Sequence, residues 1–282
     1  MPEVPLPDDF EWARYPWGPA LRCRALAAVA DHCFTTRAPV LGPGPLAPGD
    51  GWHRVALAMG ISPRALVRLR QVHGARVVAV SRLQEYPPGD PDWNVADVAI
   101  SDDPGVALSV KVADCVPILL ADARTRSVAA VHAGWRGTAA GAVRSAVEAL
   151  GVHFGSAPHD VVAAIGPSIG PCCYRVGQDV RAAFAAAGAR NDELDAWFSP
   201  TPTAPALHGV PGTDPAASGG GPALFLDTWA AAADQLRSAG VPAAKIHVAR
   251  ACTSCHRETF HSYRVDGERA GRMVGVIKRS SQ

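Results

Sequence analysis

The sequence predicts an α+β fold, a layered sandwich, on three observations. Many short segments have the Val-, Ile- and Ala-rich composition of strands, fewer have helical apolar spacing, and the two kinds do not alternate regularly. Regular alternation would have pointed to a doubly wound parallel sheet instead.

The strand-like segments are Leu66–Arg70, Arg76–Ser81, Val95–Ile100, Val106–Ala113, Ile118–Ala121, Val128–His132, Val161–Ile165, Ile246–Ala249 and Met273–Lys278. In the first, Val67 and Leu69 alternate with Arg68 and Arg70, the period of a half-buried strand. Ala129–Val131 and Val161–Ile165 are continuously apolar, as in strands covered on both faces. Thr138–Leu150 reads as a helix with Ala142, Ala146, Val147 and Leu150 on one face. Gln178–Ala187 and Asp227–Ala239 have similar spacing, each followed by a glycine that can end a helix, Gly188 or Gly240. Ala38–Gly51 is a loop dense in Pro and Gly. Ser199–Pro222 closes on Gly219, Gly220 and Gly221 and reads as a flexible surface insertion, too poor in apolar residues to offset the entropy of ordering it.

A chain of 282 residues, 48% hydrophobic, can bury a large core, and no charged or polar linker divides it, so residues 1–282 are read as a single domain. The formal charge of +1, with Lys and Arg dispersed, provides no basic patch for nucleic acid. No apolar run is long enough for a membrane span, and Met1–Trp17 has no signal-peptide pattern, so a cytoplasmic protein acting on small molecules is expected. Thiols are reduced there. Seven cysteines, an odd number irregularly spaced, argue against a disulfide framework and leave metal ligands, reactive thiols or buried small hydrophobes.

Three motifs carry most of the chemistry: Gln71-Val72-His73-Gly74, Ala113-Asp114-Cys115, and His132-Ala133-Gly134-Trp135-Arg136-Gly137. Each puts a His or Cys at the end of a strand-like segment, where a side chain is rigidly held yet open to substrate. Two imidazoles and a thiolate suit zinc with a fourth position open for catalysis. The residue types equally allow a buried thiol beside two hydrogen-bonded histidines, or a Cys115–His132 dyad of a cysteine hydrolase with Asp114 orienting the histidine. Gly134, Gly137 and Gly141 lack the spacing of a dinucleotide fingerprint. With Arg136 beside them they form either an anion site at a helix start or an ordinary tight turn.

At these motifs the chain resembles the YfiH family, also called laccase-domain proteins or peptidoglycan editing factors, from about Phe34 to Val276. Further matching stretches are Ala96–Asp97, Ile165–Tyr174 and Phe260–Gly275, the last containing Ser262-Tyr263-Arg264 and Gly271-Arg272-Met273. The resemblance implies an α/β sandwich of mixed sheets flanked by helices, with one zinc held by His73, Cys115 and His132. It implies phosphorolysis of adenosine, inosine and methylthioadenosine and deamination of adenosine, so the implied partners are a purine nucleoside and phosphate; a monomer or homodimer is expected. Arg37 matches a family arginine near the pocket and, with Arg136, is a substrate or phosphate contact; Gln71 and Asp114 are expected behind the ligands, orienting them.

The chain departs from the family after Arg37, where a Gly-Gly-rich run and an Asn-Leu-Gly segment give way to Ala38–Gly51. Arg175 stands where an acidic residue commonly follows the Cys-Cys-Tyr motif, and alanine near Ala232 replaces an asparagine. These changes weaken the transfer of substrate preference and leave the metal ligands untouched.

Other readings fit less well. Copper can occupy two His and a Cys in vitro, but a copper polyphenol oxidase needs closely spaced histidine pairs, and the ten here include no His-x-His. Cys252-Thr253-Ser254-Cys255-His256 matches haem attachment literally and is taken as coincidence without an export signal. Cys172 and Cys173 are adjacent and lack the spacing of a zinc ribbon. The rival enzyme is a peptidoglycan editing hydrolase removing L-serine from a cell-wall precursor; a metal-binding scaffold is the non-enzymatic alternative.

Overall fold

The computed structural model describes residues 1–39, 41, 50–81, 94–203 and 222–280. Among the described residues the strands are β1 (Phe10–Tyr15), β2 (Gly18–Cys23), β3 (Ala30–Thr35), β4 (Leu66–Arg68), β5 (Val77–Ala79), β6 (Val98–Ser101), β7 (Ala107–Val112), β8 (Val116–Asp122), β9 (Val128–Ala133), β10 (Val161–Ile165), β11 (Arg175–Val176), β12 (Phe198–Ser199), β13 (Leu224–Leu226), β14 (Ile246–Val248) and β15 (Met273–Arg279). The α-helices are α1 (Arg24–Ala27), α2 (Gly51–Ala58), α3 (Trp135–Ala139), α4 (Ala142–Phe154), α5 (Gln178–Ala186), α6 (Asn191–Trp197), α7 (Thr228–Ser238) and α8 (Tyr263–Asp266).

Two large mixed sheets lie face to face. One runs β1-β2-β3-β15-β7-β4 and the other β14-β10-β8-β9-β6-β5, with a small β11-β13-β12 sheet beside them. Most neighbours are antiparallel, but β4–β7, β5–β6 and β10–β14 are parallel. Alternation within the strands explains the layers. In β8, Leu119 and Ala121 join the core between the sheets while Ile118 and Leu120 join the core under α4 and α7. The first sheet buries Cys33, Leu66, Ala107, Val274 and Val276 against Trp52, Val55, Ala56 and Met59 of α2 and its C-terminal end. Each fully buried Leu or Ile in these layers contributes roughly 1.5–3 kcal/mol.

The strands expected from Leu66 onward are present with ends shifted by a few residues. The reading missed β1, β2 and β3 and the short β11, β12 and β13; in β1 and β2 the Phe-Glu-Trp-Ala-Arg-Tyr and Gly-Pro-Ala-Leu-Arg-Cys stretches mix charges with apolar residues because β1 is an edge strand and the hairpin is partly exposed. The expected helix Thr138–Leu150 is two helices. Gly141 takes φ +83 between α3 and α4, a left-handed conformation that redirects the chain at little cost in glycine. The Ala38–Gly51 loop ends where Asp50 caps α2, its carboxylate accepting from His53 N–H at 2.6 Å; residues 40 and 42–49, and 204–221 of the expected insertion, lie outside the described residues.

Candidate metal centre and active site

The chain crosses from one large sheet to the other between β4 and β5 and again between β7 and β8, and the two crossovers meet at one end of the sandwich. His73 lies in the first crossover and Cys115 in the second, while His132 is near the end of β9. Their ligand atoms all lie within 4.8 Å of one another. Cys115 Sγ is 3.8 Å from His73 Nε2, and the two imidazole rings meet edge to face at 4.9 Å. His73 is exposed, Cys115 half-buried and His132 buried, so the cluster is closed behind and open in front.

Asp97, fully buried just before β6, holds the first crossover. Its carboxylate accepts from the backbone N–H groups of Val72, His73 and Gly74 at 3.2, 2.9 and 2.8 Å, and from His132 Nδ1 at 2.7 Å. One carboxylate thus sets the positions of two imidazoles. It also offsets the strain of His73, which sits at φ +60 where non-glycine residues are uncommon. With Nδ1 engaged, His132 presents Nε2 to the cluster, the usual arrangement of a carboxylate-backed metal ligand.

Asp114 performs the same service for the second crossover. At φ +84 its buried carboxylate accepts from Thr253 Oγ1 (2.5 Å), Ser262 Oγ (3.1 Å) and Arg264 N–H (2.6 Å). The carboxylate that meets His132 is therefore Asp97 and not Asp114, which instead fixes the turn carrying Cys115. The Gln71 amide likewise turns to the backbone: it exchanges two 2.8 Å hydrogen bonds with Lys111 and ties the approach to His73 onto β7. Gly134 leaves room for the ligands, since a Cβ there would stand 2.8 Å from His73 Cδ2 and 3.0 Å from Cys115 Sγ.

The electrostatics follow from these contacts. Burial pushes the Cys115 thiol up, but hydrogen bonds and charge from His132 and His73 outweigh it and bring it down to about 6. Burial pushes His132 down, and Asp97 and Cys115 raise it to about 9. Both shifts run toward a thiolate beside an imidazolium, and the same thiolate and imidazoles are the groups that could serve as donors to an ion.

In front of the cluster is a cavity of 420 Å³ lined by His73, Cys115, Ile169, Tyr174 and the arginines Arg136, Arg175 and Arg264. Arg136 stacks 4.3 Å over Trp135, and Arg264 lies 5.3 Å over Tyr174 while donating to Arg175 O at 2.9 Å. Arg37 is not part of this lining. Its backbone N–H and guanidinium are bonded to the carbonyls of Thr259 and Arg257. The sequence reading gave no role to Asp97, Tyr174, Arg175 or Arg264. A carboxylate opening the apolar run Asp97–Ile100 was the available signal for the first, and the Ser262-Tyr263-Arg264 motif for the last.

Residues 50–280 match the sequence model of the family described as multi-copper polyphenol oxidoreductase laccase. The chain belongs to this family. Among its laccase-domain relatives, a purine nucleoside phosphorylase of Deinococcus radiodurans is 33% identical over 92% of both chains. One of Bacteroides thetaiotaomicron is 34% identical over 64% of this chain and 60% of that protein. A protein named adenosine deaminase RL5, from an unknown prokaryotic organism, is 32% identical over 80% of this chain and 79% of its own. The crystal structure of Bacillus licheniformis YfiH superposes with a TM-score of 0.77 at 27% identity, covering 97% of this chain and all of that one. The fold is thus shared with that YfiH structure, and among the described residues no helix is long and apolar enough to cross a membrane.

Proposed function

We propose that the chain is a zinc-dependent purine nucleoside phosphorylase that cleaves adenosine, inosine and methylthioadenosine, and that it also deaminates adenosine. The observation that carries this reading is the convergence of His73, Cys115 and His132, the first two of which line a cavity walled by arginines. The donor set fits zinc: two imidazoles and a low-pKa thiolate, one imidazole backed by a carboxylate, and an open side facing the cavity. When bound, zinc supplies Lewis acidity at the point where substrate meets the three ligands. Two imidazoles and a thiolate can also take copper; a multicopper oxidase centre would need further histidines, and none joins this cluster among the described residues.

Phosphorolysis joins a phosphate oxygen to ribose C1′ and sends the electrons of the broken glycosidic bond to the purine. Its chief demand is a dianion held next to a neutral nucleoside. Arg136, Arg175 and Arg264 meet that demand, since guanidinium groups bind phosphate bidentately. Arg175, where the family pattern is acidic, adds a positive charge to this wall. Tyr174 and Ile169 offer apolar surface for the base or sugar, and burial keeps the Tyr174 hydroxyl protonated. Arg37 receives no part in this account. Deamination is the second reading because one relative is named for it.

Incubating adenosine and inosine with metal-quantified protein, with and without phosphate, tests both reactions by chromatography. Phosphate-dependent adenine, hypoxanthine and ribose 1-phosphate are expected, with phosphate-independent inosine from adenosine as the signature of deamination. Neither product from a zinc-loaded chain would overturn the reading and leave hydrolysis of an L-serine-bearing cell-wall precursor as the next substrate class to assay.

A further inference from the structure

A second set of donors lies away from this site. Cys172 and Cys173 follow β10 by a tight turn, Cys252 and Cys255 follow β14, and all four are buried with their sulfur atoms within 4.8 Å of one another. We propose that these four thiolates hold a zinc ion at a closed, structural site. The inference stands independently of the phosphorylase reading.

Geometry supports it first. Cys172 Sγ and Cys173 Sγ lie 3.6 and 3.5 Å from Cys255 Sγ. A zinc–sulfur bond of about 2.3 Å in a tetrahedron gives sulfur–sulfur edges of about 3.8 Å. A disulfide would need about 2.05 Å, and none of the chain's cysteines forms one. Sulfurs this close enclose one ion, whereas an iron–sulfur cluster would interpose sulfides and spread them. Gly170 N–H donates to Cys252 Sγ at 3.3 Å, a contact that favours the charged thiolate over the thiol.

The fold explains why adjacent cysteines serve despite lacking ribbon spacing. The turn closed by Cys173 N–H and Tyr174 N–H on Gly170 O brings both side chains of the pair toward the Cys252-x-x-Cys255 turn. Adjacency of Cys172 and Cys173 in the sequence, taken to speak against a zinc ribbon, does not keep the four sulfur atoms apart in the fold. Thiols used only as small apolar filler have no reason to converge from segments 82 and 83 residues apart.

The ion would brace the catalytic end of the molecule. Ser168 and Cys252 form a bridge between the two segments, Ile169 N–H donates to Asp114 O, and Thr253 Oγ1 donates to the Asp114 carboxylate. Both segments that carry the cysteines therefore grip the residue preceding Cys115.

Metal analysis of the full chain purified under reducing conditions tests the proposal. About two zinc ions per chain are expected in the parent, and one each in Cys115→Ala and in the double variant Cys252→Ser/Cys255→Ser. X-ray absorption at the zinc edge of Cys115→Ala should show sulfur alone, at about 2.3 Å. If the double variant fails to fold, the Cys115→Ala spectrum decides by itself. A Cys115→Ala chain without metal, with the four thiols alkylated or paired as disulfides, would overturn this site and leave the first one standing. Iron in place of zinc would overturn the choice of ion. Conversely, a parent with one zinc, retained in Cys115→Ala with an all-sulfur shell, would uphold this site and remove the other.

Discussion

His32 and His132 are buried to nearly the same degree, 1% and 3% exposed, and are driven in opposite directions. His32, in β3, accepts from Cys23 N–H at 2.9 Å and has Ala30 O 3.2 Å from its other nitrogen. Burial dominates, and its pKa falls to about 4. His132 suffers the same burial, but a carboxylate on one side and a thiol on the other bring it to about 9. Burial alone makes a neutral structural histidine; charged partners make one suited to chemistry.

Removing the partners' target is the harshest test of that contrast. His132→Ala or Cys115→Ala should reduce phosphorolysis to background while the chain stays folded by circular dichroism. Activity retained at the parent level by either variant would break the comparison.

The next effect is acid destabilisation through His32. Its folded pKa of about 4 lies below the ordinary 6.5, so between those values the unfolded chain binds the extra proton. This contribution to stability is fully present above pH 6.5 and falls as the pH drops toward 4, by about 3 kcal/mol in all. Urea midpoints measured across that window should fall less steeply for His32→Gln, which retains an acceptor. Equal slopes would show that this histidine does not stay neutral in the fold.

Asp97→Asn keeps the size of the side chain and removes the charge behind His132. A loss of about 10–100-fold in zinc affinity or kcat/KM is expected from such an outer partner. Chelator competition measures it, and an unchanged affinity would shift the orienting role elsewhere. Gln71→Ala should be mildest, costing about 1–2 kcal/mol of stability for its two hydrogen bonds with zinc still bound. A metal-free Gln71→Ala chain would place that residue closer to the ligands than its contacts with Lys111 indicate.

His73, Cys115 and His132 were legible as donors at strand ends, but residue types alone left a metal site, a Cys–His dyad and a buried thiol open, and the family resemblance joined the three into one site. The strands of the two large sheets from Leu66 onward were legible through their Val-, Ile- and Ala-rich composition, whereas the two- and three-residue strands β11, β12 and β13 are too short to leave such a signal. Asp97 was not legible, because its role depends on a crossover 23 to 25 residues earlier that folds onto it. The opposite fates of His32 and His132 were equally hidden: Asp-His-Cys and Val-His-Ala look alike until the neighbouring strands arrive. The β1–β2 hairpin was missed for a simpler reason, since edge strands need not alternate cleanly.

The most direct test of the account is back-titration of chelator-stripped protein with Zn²⁺ while ribose 1-phosphate formation from inosine is followed. The account predicts no activity in stripped protein, recovery that saturates at stoichiometric zinc, and no recovery in His132→Ala. Full activity in verified metal-free protein would contradict it.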